Sequence, residues 1–508
     1  MYNKHMETIE NLLKIIKNYN PEADLDLIRL AYDFAESAHK GQKRLSGVPY
    51  IEHPLNVAVT LAEMKLDTPI IVAGLLHDIP EDTSISLNEI KKNFGADVAS
   101  MVEGVTKLGK LKYRGMERYI ENLRKMFVSI AKDIRVIIIK FADRLHNLKT
   151  LDALPEKKRY RVALESLEIY APIANRLGMG EMKGQIEDYS FKHLNAKEYN
   201  WITQLMTESF QQRKQWLDTV KKITQKELKA SNIEIISIHG RVKHTYSLFC
   251  KILRYNRDIN KIYDLVALRV IVKDLADCYA ALGVIHKLWR PVPSRIKDYI
   301  SQPKPNGYQS IHTTVFATDG QIVEFQIRTE KMHEEAEFGV AAHWHYDEKG
   351  SVIPSKNIAW IKELAAFQKV SLEKITDLEN LKIDVFQNRI FVFTPRGDVI
   401  DLPERASPVD FAYSIHTELG NKCVGARIND QLASLDTSLK SGDVVEILTD
   451  KNRKGPSLEW LKFVKTNAAR GHIKAKAHSS LTDWLKTKIL PEKFPKKEAD
   501  KIRKKKLF

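Results

Sequence analysis

Hydrophobic residues recur with helical spacing through the first third of the chain, where the most apolar stretch is the run 68–76. This run, Thr-Pro-Ile-Ile-Val-Ala-Gly-Leu-Leu, predicts a buried helix with Pro69 as its first residue, carrying His77 and Asp78 at its C-terminal end. Residues 198–205 and 210–228 also show helical spacing and predict two helices in a connecting segment. The N-terminal region is therefore expected to be all-α.

The middle of the chain carries shorter apolar runs that are typical of strands. Residues 265–272 predict a buried strand, and the run 321–328 alternates so that Ile322, Glu324 and Gln326 share one face. If the two strands are neighbours, Asp264 and Glu324 meet at one edge of a sheet. The alternative is that these two carboxylates only form salt bridges between strands.

The C-terminal third predicts a small α+β unit. Residues 389–402 form two β-rich runs joined at Pro-Arg-Gly-Asp, which indicates a hairpin. Ser407 and Pro408 are expected to begin a helix that ends at Gly420, and residues 444–448 supply a last strand. A further helix is expected around 358–370.

Composition favours a cytoplasmic enzyme of several domains. The chain has 508 residues, enough for three or four domains. It has no apolar run near 18 residues and no signal-peptide pattern, so no membrane partner is expected. Its three cysteines are widely separated, which suits a reducing compartment and indicates no zinc site.

Positive charge is in excess and is unevenly distributed. The net charge is +16, and residues 481–508 contain ten Lys or Arg against four Asp or Glu. Such a tail attracts polyphosphate or RNA without sequence preference, although a solubilising terminus would have the same composition.

The segment between the two predicted strands concentrates cations. Its cationic and imidazole side chains, around Asn306-Gly307-Tyr308, are Arg295, Lys297, Lys304 and His312. Fixed cations beside carboxylates that can hold a divalent metal suit the transfer of a phosphate group between nucleotides, and an aromatic ring in a Gly-containing loop suits base stacking. A solvated basic loop is the alternative for this segment taken alone.

A second constellation lies in the N-terminal third. Two imidazoles and two carboxylates, spread over ninety residues on a helical background, suit a transition metal: His53, His77, Asp78 and Asp143. Pro80 cannot continue the preceding helix, so Glu81 and Asp82 are expected on a new turn where they could activate water for phosphate-ester hydrolysis. Alternatively, His77 is a core histidine and Asp82 a helix N-cap.

The central segment resembles the synthetase domain of the RelA/SpoT family, which acts in the stringent response. The resemblance implies a nucleotidyltransferase-like mixed sheet and transfer of the ATP β,γ-pyrophosphate to the 3′-hydroxyl of GTP or GDP. It implies that Asp264 binds Mg²⁺ and that Glu324 activates the hydroxyl and shares the metal. The implied ATP-binding residues are Arg241, Lys243, Ser247, Lys251 and Arg269, with Arg241 and Arg269 on either side of adenine. The implied GTP/GDP-binding residues are Arg295, Lys297, Lys304, Asn306, Tyr308 and His312, with Tyr308 stacked on guanine.

Residues 25–195 resemble the HD hydrolase domain of the same family. The resemblance implies that His53, His77, Asp78 and Asp143 bind Mn²⁺, and that Glu81 and Asp82 activate the water that releases the 3′-pyrophosphate of ppGpp or pppGpp. The implied nucleotide pocket is lined by Arg44, Ser46, Asn147 and Thr150. Pro80 replaces an aliphatic residue of the family pattern.

Residues 386–449 resemble a TGS domain, a β-grasp-like module. In long family members this module meets the 3′ end of uncharged tRNA on the ribosome, which implies a contact at His416; an exposed histidine at a helix end is the alternative. Residues 456–490 resemble the start of the helical region that follows in those members, and we expect no counterpart of their zinc-finger-like and ACT domains in this chain.

The expected domains are a hydrolase domain (1–195), a helical connector (196–235), a synthetase domain (236–346), a helical linker (347–385), the TGS domain (386–449) and a basic helical tail (450–508). The sequence thus predicts a bifunctional alarmone enzyme. The alternatives are a synthetase whose HD region only senses ligands, and a noncatalytic tRNA- or ribosome-binding protein.

Overall fold

The computed structural model of the chain describes residues 7–109, 129, 132–258, 266–304, 306–345, 389–395, 399–440, 442–453, 455–466 and 468–475. The chain divides into two compact units, Met1–Leu372 and Glu373–Phe508. Asp264, the expected helix around 358–370 and the basic tail from 481 onward lie outside the described residues.

The first part of the first unit is helical, as the sequence predicts. Its helices are α1 (Ile9–Tyr19), α2 (Leu25–Ala38), α3 (Glu52–Glu63), α4 (Thr68–Leu76), α5 (Ile79–Asp82), α6 (Leu87–Gly109), α7 (Arg135–Lys149), α8 (Glu156–Glu165), α9 (Ala171–Arg176) and α10 (Gly180–Leu194). Helix α4 is almost wholly buried, and α3, α6 and α7 pack around it. It begins one residue earlier than predicted, so Pro69 is its second residue.

The connecting segment is a single helix, α11 (Ala196–Ala230), and the prediction of two helices is wrong. The residues between the two predicted helices, Met206 to Ser209, include neither proline nor glycine. Nothing in this sequence interrupts the backbone hydrogen bonds, so the helix continues through it. Its apolar side chains Ile202, Leu217 and Val220 enter the core of the sheet that follows.

A mixed five-stranded sheet forms the second part of this unit. Its strands are β1 (Ile235–Val242), β2 (Val266–Val272), β3 (Arg290–Asp298), β4 (Ile311–Phe316) and β5 (Ile322–Thr329), in the order β1-β2-β5-β4-β3. Strands β2 and β5 are parallel neighbours, which is the condition under which the sequence analysis expected Asp264 and Glu324 to meet. The other pairs are antiparallel. The associated helices are α12 (Thr245–Arg254), α13 (Leu275–Leu288) and α14 (Glu330–Phe338).

The predicted basic loop is only partly a loop. Arg295 and Lys297 lie on β3 and His312 lies on β4, so the connection itself runs between these strands. The charged residues concealed the strand from a hydropathy argument, because β3 is an edge strand with many exposed positions. The edge strand β3 therefore carries the cations Arg295 and Lys297 next to β4.

The second unit is α+β. It contains β6 (Arg389–Phe393), β7 (Val399–Pro403), α15 (Pro408–Ile415), α16 (Thr417–Lys422), β8 (Cys423–Ile428), β9 (Gln431–Ala433) and β10 (Val445–Thr449). The hairpin β6–β7 and the Ser407 cap with Pro408 are confirmed. Gly420 was predicted to end α15, but the helix ends at Ile415, and Gly420 lies within α16.

The core of this second unit extends past residue 449, where the sequence analysis placed the end of the domain. Trp460 and Val464 pack against Val409 and Ala412 of α15. Elsewhere, all three cysteines are free thiols. No helix in the described part of the chain is both long and apolar enough to cross a bilayer.

Candidate active sites

Three helices bring the predicted metal ligands of the N-terminal region together. His53 on α3, His77 at the end of α4 and Asp143 on α7 are all buried, and one ligand atom of each lies within 4.8 Å of the others. His53 Nε2 lies 3.2 Å from Asp143 Oδ1 and 3.3 Å from Asp78 Oδ2. Because helix packing fixes these side chains, the four groups form one cluster although they are ninety residues apart in sequence.

The cluster fits a divalent metal. His77 Nδ1 lies 2.7 Å from the carbonyl oxygen of Gly74, so Nδ1 carries the proton and Nε2 presents a lone pair. His77 Nε2 is buried and lies 3.1 Å from Asp78 Oδ1, but it makes no hydrogen bond of normal geometry with the described residues. Burial opposes protonation of His77, but the carboxylates of Asp78 and Asp143 outweigh it and raise its pKa to about 9, so a cation would take the place of the proton at Nε2. A cation at Nε2 would satisfy the orphaned nitrogen and both carboxylates.

His146 is a part of this cluster that sequence reasoning missed. Its Nδ1 lies 2.7 Å from Nδ1 of His53. Burial, the neighbouring His53 and Arg44 lower the pKa of His146 to about 2, so the ring is neutral and can accept a hydrogen bond from His53. The signal was present in the sequence, because residues three apart on a helix share a face and His146 follows Asp143 by three. Lys140 precedes Asp143 by three residues on the same helix, and its Nζ donates to Asp143 Oδ2 at 2.6 Å.

Tyr50 was also missed, and it connects the cluster to the predicted water-activating pair. Its hydroxyl lies 2.5 Å from Asp82 Oδ2 and 3.0 Å from Asp78 Oδ2. Asp82 and Glu81 are exposed on the single-turn helix α5, as expected after Pro80. A cavity of about 540 Å³ opens beside Asp82, next to Gln42 and Thr83.

Two of the four predicted nucleotide-pocket residues adjoin the His/Asp cluster, and the other two lie nearby in sequence. Arg44 Nη2 donates to Asn147 Oδ1 at 2.7 Å, and Arg44 Nη1 lies 3.3 Å from His146 Nδ1, so these two predicted residues adjoin the cluster. Thr150 caps the end of α7, where its hydroxyl donates to the carbonyl of His146 at 3.1 Å. Ser46 is exposed in the turn that follows Arg44.

The sheet carries the second group of predicted residues in two adjacent rows. Pairing aligns Arg241, Ala267 and Glu324 in one row across β1, β2 and β5. The next row on the same face, from β2 to β3, consists of Arg269, Gln326, His312 and Lys297. Residues two apart on a strand share a face, so one face presents both the candidate base and the candidate phosphate-binding cations.

Glu324 lies at the centre of this face. Its Oε1 accepts a hydrogen bond from Gln326 Nε2 at 2.8 Å and lies 3.3 Å from His312 Nδ1. Burial lowers the pKa of His312 despite the nearby carboxylate. The expected meeting of Glu324 with Asp264 stays a prediction, because Asp264 is not described.

The connection between β3 and β4 forms an aromatic and cationic corner. Lys304 Nζ lies 4.6 Å from the ring centre of Tyr299 and 4.9 Å from that of Tyr308. Tyr308 is hydrogen-bonded through its hydroxyl to His312 Nε2 at 2.7 Å. Asn306 accepts from the amide of Tyr308 at 3.3 Å and donates to the carbonyl of Asn175 at 3.2 Å. Arg295 is half-buried on the adjoining strand β3.

The predicted ATP-binding residues lie at the β1 side of the sheet. Lys243 follows β1, and Ser247 and Lys251 are four residues apart on one face of α12. Arg241 Nη1 approaches Gln326 Oε1 at 3.5 Å. Arg269 Nη1 lies 3.1 Å from Glu337 Oε1 of α14, a partner that sequence reasoning missed.

His416 of the second unit is exposed between α15 and α16. Its Nδ1 accepts from the amide of Glu418 at 3.2 Å, so the side chain caps α16. A contact with tRNA at this position stays a prediction.

Family models match three regions of the chain. A model described as "HD domain" matches residues 31–180, "Region found in RelA / SpoT proteins" matches residues 240–351, and "TGS domain" matches residues 390–449. The three matches follow the order expected from the sequence.

Similar proteins cover most of the chain. It is 47% identical over 467 residues to the Aquifex aeolicus guanosine-3′,5′-bis(diphosphate) 3′-pyrophosphohydrolase. The matched region covers 92% of this chain and 66% of that enzyme. It is 43% identical over 473 residues to the bifunctional (p)ppGpp synthase/hydrolase SpoT of Escherichia coli, with 92% and 67% covered. It is 45% identical over 495 residues to a GTP pyrophosphokinase of Streptomyces coelicolor, with 93% and 58% covered.

The chain therefore belongs to the RelA/SpoT family, with an all-α HD domain, a mixed-sheet synthetase-like domain and a TGS domain. This confirms the family and the fold class predicted from the sequence. The chain spans about three fifths to two thirds of the length of these relatives.

Proposed function

We propose that this protein both makes and degrades (p)ppGpp, at two separate sites of its first unit. The observation that carries the proposal is the presence of two unlike sites in one chain. One is a buried His/Asp cluster beside exposed Glu81 and Asp82. The other is a sheet face on which Glu324 shares a row with Arg241 and adjoins the row of Arg269 and Lys297. The names of the relatives, which include both activities, support the same proposal.

At the first site, His53, His77, Asp78 and Asp143 would hold Mn²⁺. Bound there, the ion would lower the pKa of water so that hydroxide forms near neutral pH. Glu81 and Asp82 take the proton from the attacking water, and Tyr50 holds the Asp82 carboxylate in place. Arg44 and Asn147, with Ser46 and Thr150 nearby, bind the nucleotide. The oxygen of the attacking water bonds to the phosphorus on the 3′-oxygen, and the bond between that phosphorus and the 3′-oxygen breaks. The 3′-oxygen takes up the proton that the carboxylates removed from water, and pyrophosphate leaves.

At the second site, Glu324 takes the proton from the 3′-hydroxyl of GTP or GDP. The new bond joins that oxygen to the β-phosphorus of ATP, and the bond between the β-phosphorus and the oxygen bridging to the α-phosphorus breaks, so AMP leaves. Mg²⁺ held by Asp264 and Glu324 would offset the phosphate charge. Lys243, Ser247 and Lys251 bind the ATP phosphates, and Arg241 and Arg269 enclose adenine. Lys297, Lys304 and His312 face the acceptor, and Tyr308 stacks on guanine.

The test is a pair of assays on one preparation: ATP plus GTP with Mg²⁺, and ppGpp with Mn²⁺. Glu324→Gln should abolish synthesis and spare hydrolysis, and the Glu81→Gln/Asp82→Asn double variant should do the reverse. Glu330→Gln, an exposed carboxylate on neighbouring α14, should keep both activities. Absence of hydrolysis from the unmodified protein would leave a synthetase with a ligand-sensing HD domain, and absence of both activities would favour a noncatalytic binder.

For the second unit we propose binding of uncharged tRNA, because His416 is exposed. His416→Ala should then weaken binding of deacylated tRNA to the full chain, whereas Asp436→Ala, an exposed change in the same unit, should not. Equal binding by all three proteins would contradict this role.

A further inference from the structure

One face of helix α10, which the expected domain boundaries place at the end of the hydrolase domain, holds a histidine of the synthetase domain. His244 Nδ1 lies 3.0 Å from Asp188 Oδ2, and its Nε2 lies 3.4 Å from Glu181 Oε2. Glu181, Gly184 and Asp188 have the spacing of one helix face. Both ring nitrogens of His244 are therefore paired with carboxylates of a single helix, an arrangement that we call the α10 clamp.

The position of His244 in the chain makes the clamp relevant to ATP. His244 follows Lys243 and directly precedes helix α12, which carries Ser247 and Lys251. Three residues proposed to bind ATP thus lie within seven positions of it. A change in the orientation of His244 would move all three together.

The clamp also caps α12. The side chain of His244 makes no capping hydrogen bond to its own helix, because its ring is turned towards α10. Asp188 Oδ1 instead accepts from the amide of Tyr246 at 2.8 Å, so a carboxylate of another helix satisfies an N-terminal amide of α12. Negative charge at a helix N-terminus is also favourable.

Shape complementarity fixes the same contact. A Cβ atom on Gly184 would overlap the ring of His244, so the ring reaches the carboxylates only because residue 184 is glycine. Nearby, Phe191 of α10 stacks on Phe249 of α12 with ring centres 4.7 Å apart. An apolar contact therefore joins the same two helices that the polar clamp joins.

The charges of the clamp are complementary at neutral pH. Burial opposes protonation of His244, but hydrogen bonds and attraction from Asp188 and Glu181 raise its pKa to about 9. His244 and Gln185 in turn lower the pKa of Glu181 to about 2, with a smaller effect from Arg241. An imidazolium between two carboxylates thus holds the start of α12.

We propose that His244 is a positioning residue for ATP, and that the α10 clamp lets the hydrolase domain set the geometry of Lys243, Ser247 and Lys251. This inference rests on the proposed synthetase function. It assigns a role to Glu181, Gly184 and Asp188, which lie outside both proposed catalytic centres.

The first test measures binding of a nonhydrolysable ATP analogue to the full chain by calorimetry, which requires no turnover. Asp188→Ala removes the acceptor at the Tyr246 amide and should raise the dissociation constant about fivefold to tenfold, the size of effect expected for a lost helix cap. His244→Gln and Gly184→Ala disturb the clamp at the same helix start and should also raise it. Gly283→Ala, at a helical glycine with open space around it, should not change it. Unchanged binding in all three clamp variants would overturn the inference, even if their melting temperatures fall.

The second test separates positioning from stability through kinetics and pH. The clamp variants should raise KM for ATP about fivefold to tenfold and leave KM for GDP unchanged. In the unmodified protein KM for ATP should rise as pH passes about 9, where His244 loses its proton, and Asp188→Asn should move this rise to lower pH. No difference between the two pH profiles would count against the clamp.

The two proposals can fail separately. If the unmodified protein binds the ATP analogue but makes no (p)ppGpp, the proposed synthesis is wrong, and the dissociation constants still decide the clamp. If the unmodified protein does not bind the analogue, both proposals fail.

Discussion

At the scale of single residues, Lys304 shows how the environment of a cation controls its charge. The residue is largely exposed, but its ammonium group lies against two aromatic rings. Desolvation of this group, followed by repulsion from Lys297 and Arg241, lowers its pKa to about 8. The protonated form binds phosphate, so acceptor binding should weaken as pH rises through this value.

We therefore predict that KM for GTP or GDP rises above pH 8 in the unmodified protein. Lys304→Arg should abolish this rise, because a guanidinium stays charged throughout the range. Steady-state kinetics between pH 7 and pH 9.5 check the prediction. KM for ATP serves as the internal control below pH 9, where the α10 clamp predicts no rise in it, and a rise of both constants at the same pH in that range would show that Lys304 is not responsible.

A second residue-scale feature is the sharing of one carboxylate by two buried arginines. Glu337 Oε1 lies 2.9 Å from Arg328 Nη2 and 3.1 Å from Arg269 Nη1, and the Nε atoms of both arginines are buried without a hydrogen-bond partner among the described residues. Burial opposes ionisation of Glu337, but Arg269 and Arg328 outweigh it and lower its pKa. The carboxylate thus stabilises the fold above its unfolded pKa, and this stabilisation is lost as pH falls through the lower folded value.

Glu337→Gln should accordingly reduce the free energy of unfolding by about 3 kcal/mol at pH 7, because two buried cations lose their counter-charge. The difference from the unmodified protein should shrink once the pH falls well below 4.5, the ordinary pKa of a glutamate. Urea unfolding at pH 7 and at acid pH measures both values. Glu330→Gln, exposed on the same helix, should change the free energy by less than about 0.5 kcal/mol. An equal loss at both pH values would implicate packing rather than charge.

At the scale of elements, local chemistry decided which parts of the fold the sequence could predict. Helix α15 was placed correctly at its start because Ser407 and Pro408 act within one turn. Its end was placed wrongly because Gly420 signals a stop only if the chain there adopts a left-handed conformation, and it lies inside α16 instead. Strand β3 was missed because edge strands tolerate charges such as Lys297, so pairing with β4 and not hydropathy defines it.

Asp410 of α15 is an element-scale contact that no local pattern reveals. It is fully buried, and its two oxygens accept hydrogen bonds from the backbone and side chains of Ser407 and Thr466 and from the backbone of Lys465. The Ser407 bonds form the capping box, and the others attach a segment more than fifty residues away.

We expect Asp410→Asn to destabilise this attachment by about 2–4 kcal/mol, because an amide cannot accept all of these bonds and leaves buried donors unpaired. Hydrogen exchange followed by mass spectrometry should show faster exchange of the amides of Lys465 and Thr466. Glu446→Gln, which removes a half-exposed surface pair with Arg427, is the control and should leave exchange unchanged. Unchanged protection in Asp410→Asn would mean that the apolar contacts of Trp460 alone hold the segment.

At the scale of the first unit, the two candidate sites are joined by close backbone packing. Gly178 and Gly339 meet where the turn after α9 approaches the end of α14, and Val340 donates to the carbonyl of Leu177 at 3.0 Å. Lys65 and Glu334 add an ion pair of 2.6 Å. The sequence identified the residues of each site because their chemistry is local in the chain. It could not identify this junction, because the junction depends on glycines whose neighbours are known only from the fold.

The junction gives a physical basis for communication between the two activities, which would otherwise make and destroy one product. Helix α10 packs against both α7, which carries Asp143, and α14, and Asn306 of the acceptor loop bonds to the carbonyl of Asn175. A ligand that favours one arrangement of this junction should change affinity at the other site, and the effect must be reciprocal. We predict that a nonhydrolysable ATP analogue together with GDP changes the affinity of the hydrolase site for ppGpp by about fivefold or more.

Gly339→Ala should reduce the change in ppGpp affinity caused by the synthetase ligands towards a factor of one. The residue has φ = 57°, and an added Cβ would overlap the backbone of Leu177 and Gly178. Gly320→Ala is the control, since Gly320 has φ = 67° and open space around it, so the variant also places alanine at a positive φ but does not touch the junction. Binding of ppGpp to the Glu81→Gln/Asp82→Asn background, measured with and without the synthetase ligands, isolates affinity from turnover. If both glycine variants lower the factor equally, strain and not the junction is the cause. If neither does, the two sites communicate by another route or not at all.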